Sequence, residues 1–154
     1  MTHGFSCSFL ACLTWWVVPV MAQTYPPDHS HAGSAVEFKM PKSYGEAANE
    51  AGHRLEIIRE LMETDRLDQI HGHAEVIRRV AAVAGVLALN KDSGVPREAM
   101  KDVTKAARQL VTYFEKIDTP ADSGDAAGTK AAYEEMVKLA AVLQQYVPKL
   151  YACP

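Results

Sequence analysis

The sequence predicts an all-α protein, an up-down-up-down antiparallel four-helix bundle, on three observations. Apolar residues recur at alternating steps of four and three through four segments of nearly equal length, the spacing that keeps one helical stripe facing a partner. Short clusters of Asp, Ser, Gly and Pro separate the later segments. No segment shows the two-residue alternation of a half-buried strand.

The chain has 154 residues with 16 basic and 19 acidic side chains, none of them within residues 1–22. That neutral stretch contains the apolar run Phe9 to Val18 and ends Val20-Met21-Ala22, with small residues where a signal peptidase inspects the chain. It is too short to span a bilayer comfortably. It reads as a secretory signal with Gln23 as the mature start, which leaves no stable membrane span and gives a periplasmic or secreted location. Cys7 and Cys12 would leave with it, so Cys153 is the only thiol of the mature chain and no internal disulfide can form. The slight acidic excess excludes a nucleic-acid footprint.

Residues 23–42, with Pro26, Pro27, Gly33 and Pro41, form a flexible N-terminal tail or an extended strap along the domain. The bundle occupies 43–154. Ser43 with Glu46 makes a capping box for the first helix, whose stripe is Tyr44, Ala48, Ala51, Leu55, Ile58 and Met62. The second helix, about Asp68 to Leu89, carries Ile70, His73, Ile77, Val80, Ala84 and Leu87. Pro96 stands as a first-turn proline of the third, with stripe Met100, Val103, Ala107, Leu110, Phe114 and Ile117, and the cluster Thr119 to Gly124 ends it. The fourth carries Thr129, Ala132, Met136, Leu139, Leu143 and Tyr146, and Pro148 stops it. Helices of about 22 residues, roughly 33 Å long, joined by short loops make antiparallel neighbours. Many stripe positions are alanine, which implies close helix approach.

The functional question narrows to histidines and one thiol. By helical phase His53 lies opposite the apolar stripe and His71 at the edge of a polar arc, so the first is solvated and the second exposed or half-exposed. His73 falls inside the second stripe. A hairpin centred near Arg66 sets it level with Arg59 and about one turn from Met62, and an imidazole beside a thioether suits Cu(I) or a haem iron. In the tail, Asp28, His29 and His31 offer two imidazoles and a carboxylate for copper or zinc, and bundle topology permits Cys153 to approach them. Cys153 equally permits a homodimer through a disulfide in an oxidising compartment. The glutamates lie mainly on polar faces, and the serines cap a helix or sit in turns. No phosphate loop, C-x-x-C, H-E-x-x-H or nucleophile elbow occurs, so no enzymatic activity is expected.

Residues 43–150, as four equal helices on an exported chain, resemble the soluble four-helix cytochromes, the c-prime type and its b-type relative. The c-prime type attaches haem through C-x-x-C-H near the end of its fourth helix. Here that region reads Tyr146-Val147-Pro148-Lys149-Leu150-Tyr151-Ala152-Cys153-Pro154, with one cysteine and no histidine. The b-type relative uses an early methionine and a late histidine, where this chain has Tyr44 and no histidine. The resemblance therefore implies a scaffold, and haem would need another ligand set such as His73 with Met62. Pro41 to Ala47 and Leu67 to His71 are also similar to segments of small exported bacterial helical proteins, some associated with metal efflux, which implies metal handling. The expected function is a non-enzymatic exported bundle that binds a copper or zinc ion or a protein partner. The alternative is an electron carrier with non-covalent haem.

Overall fold

Ser43 starts the first helix as the spacing predicts: its Oγ accepts the Glu46 amide at 3.2 Å, while the Glu46 carboxylate accepts the Lys42 amide at 2.7 Å. From this cap α1 runs Tyr44–Glu63, followed by α2 (Ile70–Leu87), α3 (Met100–Asp122) and α4 (Ala126–Gln144). Single 3-10 turns, Leu67–Gln69 and Lys91–Ser93, lie before α2 and after it. The structure, a computed structural model, describes residues 36–147, which belong to one compact unit, and no strand occurs among them. The signal assignment to residues 1–22 and the donors Asp28, His29, His31 and Cys153 lie outside the described residues.

Neighbours in sequence pack together, α1 on α2, α2 on α3 and α3 on α4, and α4 also packs on α1. The apolar stripes meet in one core whose largest fully buried side chains include Tyr44, Ile58, Ile70, Ile77, Leu110, Ile117, Met136 and Leu143. Each buried Ile or Leu contributes roughly 1.5–3 kcal/mol relative to exposure. Alanines fill the space between them: Ala47, Ala48, Ala51, Ala74, Ala84 and Ala107 are all buried, so the helices approach closely. At Gly85 a β-carbon would stand 3.6 Å from the Ala107 β-carbon and 3.9 Å from Thr104 Cγ2, ordinary contact between α2 and α3.

Helix ends are closed by local chemistry. After α1 the Arg66 amide bonds the Leu61 carbonyl at 2.9 Å and the Asp65 amide bonds the Met62 carbonyl at 3.3 Å, with Asp65 at φ 55°. These are the two bonds of a Schellman motif, here with aspartate in the left-handed position. The same motif closes α3, through Asp125 to Pro120 at 2.8 Å and Gly124 to Ala121 at 3.1 Å, with Gly124 at φ 73°.

Both boundaries of α3 differ from the sequence expectation. Pro96 does not open the α-helix; its carbonyl accepts the Ala99 amide at 3.0 Å in a separate turn, and the helix begins at Met100. At the other end the helix passes through Pro120 to Asp122. Proline so near the terminus forfeits one intrahelical bond, and its carbonyl still serves the Schellman closure. In the described part of the tail, residues 36–42, Val36 and Phe38 are half-buried against the core.

Candidate functional site

One half-buried polar cluster is organised by Arg54 on α1. Its side chain is only 12% exposed, so the cation needs partners, and it has three. Glu50, one turn earlier, bonds Nε at 2.7 Å, and the Glu37 carbonyl of the tail accepts from Nη2 at 3.2 Å. The third is His73 on α2, whose Nδ1 lies 3.4 Å from Nη1. A guanidinium can only donate, so Nδ1 faces it as an acceptor and the imidazole proton sits on Nε2. Burial, then the charge of Arg54 and then His53, hold the His73 pKa below its ordinary value, so the ring is neutral at pH 7.

The polar partner that His73 finds on α1 is therefore Arg54. Met62 is eight residues beyond Arg54, about 12 Å along α1. It is half-buried in the wall of a cleft of 430 Å³ between α1 and α4, with Leu67, Ala126, Lys130 and Tyr133, and His73 is absent from that lining. Burial, then the charge of Glu56, raise the Tyr133 phenol above its usual range.

His71 is half-exposed, as its phase predicts, and it has a partner the sequence did not reveal. Its Nδ1 donates to Asp118 Oδ1 on α3 at 2.8 Å, and its ring meets Phe114 edge-on at 5.5 Å. Arg78 covers the same Phe114 ring at 5.5 Å, so one aromatic joins both α2 side chains to α3. His53 is exposed beside the tail, lining a groove of 410 Å³ with Lys39, Met40, Lys42 and Glu50. Among the described residues no three His, Cys, Asp or Glu side chains gather as a metal would require.

A different feature stands out on the outer side of α2 and α3. Val80 to Leu89 holds no charged or strongly polar residue, and packing buries only part of its circumference. Val86 is 66% exposed and Leu89 62%, with exposed Ala82 one turn before Val86. Beside them on α3, Met100, Lys101, Thr104, Lys105 and Arg108 line an open depression. Sequence reasoning passed over this face because it followed the inward stripe. The uncharged ten-residue run and the basic spacing 101, 105, 108 were its visible signals. No helix among the described residues is long and apolar enough to cross a membrane.

No protein-family model, curated protein or solved structure matches the chain.

Proposed function

We propose that the chain is an exported, non-enzymatic up-down-up-down four-helix bundle that acts as a docking module for a protein partner, through the outer face of α2. The antiparallel arrangement is supported by contacts whose numbers rise on α2 as they fall on α3: His71 with Asp118, Arg78 with Phe114, and Gly85 with Ala107 and Thr104. Tyr44 at the start of α1 meeting Leu143 near the end of α4 supports the same reading for that pair.

The observation that carries the function is the exposure of Val86 and Leu89 within an uncharged run. A helix apolar on every side is ordinarily covered, and leaving two large aliphatic side chains in water forgoes burial worth roughly 1.5–3 kcal/mol each. A photoreactive side chain placed at Leu89 in cells of the source organism should form one discrete adduct, abolished by adding Val86→Asp. The same probe at Val137, an exposed apolar residue of α4, should form none. Equal labelling from both positions, or none from Leu89, would remove the docking reading.

The metal-binding reading rests on Asp28, His29, His31 and Cys153, and its test is calorimetry with copper or zinc.

A further inference from the structure

We infer that the partner presented to this face is an acidic amphipathic helix of another protein, seated between α2 and α3 with its apolar side on Val86, Leu89 and Met100 and its carboxylates on Lys101, Lys105 and Arg108. The inference rests on the docking reading above and adds the chemistry of the occupant.

Three features support it. The first is charge. Lys101, Lys105 and Arg108 fall within an arc of about 60° on α3 at 100° per residue, and none forms an ion pair with a described residue. Like charges four residues apart, as at Lys101 and Lys105, work against an isolated helix. An acidic partner turns that liability into attraction and steers the encounter.

The second is shape. Gly85 lies within contact of Thr104 and Ala107 on α3, and the register from His71 to Gly85 continues to set Val86 level with Thr104 and Leu89 with Met100. Ala82 and Val86 lie one turn apart on α2, and Leu89 follows in the turn that leaves it, its amide bonded to the Val86 carbonyl at 3.1 Å, so the apolar strip runs along the end of α2 beside the basic strip. Two parallel strips, one apolar and one cationic, match the face of a helix with apolar residues every three or four positions and acids beside them.

The third is composition. The strip holds small and aliphatic residues and no Trp, Tyr or Phe, the aromatic side chains on which membrane-surface elements rely. A close-packed helix needs no such anchor, and the small exposed Ala82 lets it approach.

The test uses the full-length secreted protein labelled for NMR, with three probes. One is a synthetic helical peptide with leucines along one face and glutamates beside them. The second is the same peptide with lysines for glutamates. The third is vesicles of phosphatidylcholine and phosphatidylglycerol. The acidic peptide should shift amides of residues 82–90 and 100–112, and the basic peptide should not. Lys105→Glu with Arg108→Glu should weaken binding about tenfold and flatten its salt dependence. Leu89→Asp should weaken it by a similar factor, and Val137→Asp should leave it unchanged. Absence of shifts with the acidic peptide, equal binding of both peptides, or binding to vesicles alone would each overturn the inference. A discrete adduct from the Leu89 photoprobe together with a silent acidic peptide would remove this partner chemistry and leave the docking reading standing.

Discussion

The Tyr44 hydroxyl donates to the Leu143 carbonyl at 2.7 Å, joining the first residue of α1 to the last turn of α4 across 99 positions of sequence. The carbonyls of a helix's last turn have no partner within the helix, so the phenol serves a group that would otherwise be stranded in the core. Tyr44→Phe keeps the ring and strands that carbonyl. It should lower the free energy of unfolding by about 1–3 kcal/mol in chemical denaturation, where a solvated carbonyl would predict no change.

The same residue sets an alkaline limit. Burial, and then the neighbouring Tyr146, raise the Tyr44 pKa above its ordinary value of 10.0. In the unfolded chain the phenol ionises at the ordinary value, so the stabilisation is complete below pH 10.0 and is lost as pH climbs toward the folded value. The unfolding midpoint should fall above that pH, and Tyr44→Phe should show a smaller fall. Identical alkaline profiles for the two proteins would refute this role.

His73 works in the opposite direction. Its folded pKa lies below the ordinary 6.5, through burial first and then the charges of Arg54 and His53. The unfolded chain takes up the proton first, so this contribution is full above pH 6.5 and is lost as pH falls through the folded value. His73→Gln retains an acceptor for Arg54 and carries no titration. Its unfolding midpoint should depend less on pH in that window, and an NMR titration of His73 should give a midpoint below the ordinary 6.5.

Exposure separates Leu110, a residue of the third apolar stripe, from Leu89, which belongs to none. Leu110 is fully buried, and Leu110→Ala should cost about 2–5 kcal/mol. Leu89, 62% exposed, should cost less than about 0.5 kcal/mol on the same change while weakening partner binding. A large stability loss at Leu89 would mean that its face is already covered.

Asp65 occupies a left-handed conformation at φ 55°, where a side chain is strained and glycine is not. Asp65→Gly should raise the unfolding free energy by up to about 1 kcal/mol, measured by thermal denaturation.

The four helices were legible because amphipathic periodicity is a local property. Tyr44, Ala51, Ile58, Ile77, Val103, Leu110, Met136 and Leu143 are all stripe residues of the sequence, and all are buried. The ends were less legible. Thr119 to Gly124 reads as a break, yet the last turn of α3 tolerates Pro120 because terminal residues need fewer intrahelical bonds. The site was least legible, since the partners of a polar side chain depend on the register of two helices. His73 meets Arg54, a pairing that the apolar spacing of neither helix specifies.

The sequence by itself determined that this chain forms four amphipathic helices and, for most of their length, which stripe faces inward. Only the tertiary structure decided which histidine meets Arg54, which meets Asp118, and that Val86 and Leu89 remain outside. The physical reason lies in the run from Val80 to Leu89. Where no polar residue marks the solvent side, hydrophobicity cannot choose a face, and the choice passes to packing, which buries Val80, Ala81, Ala84 and Ala88 and leaves two large aliphatic side chains exposed.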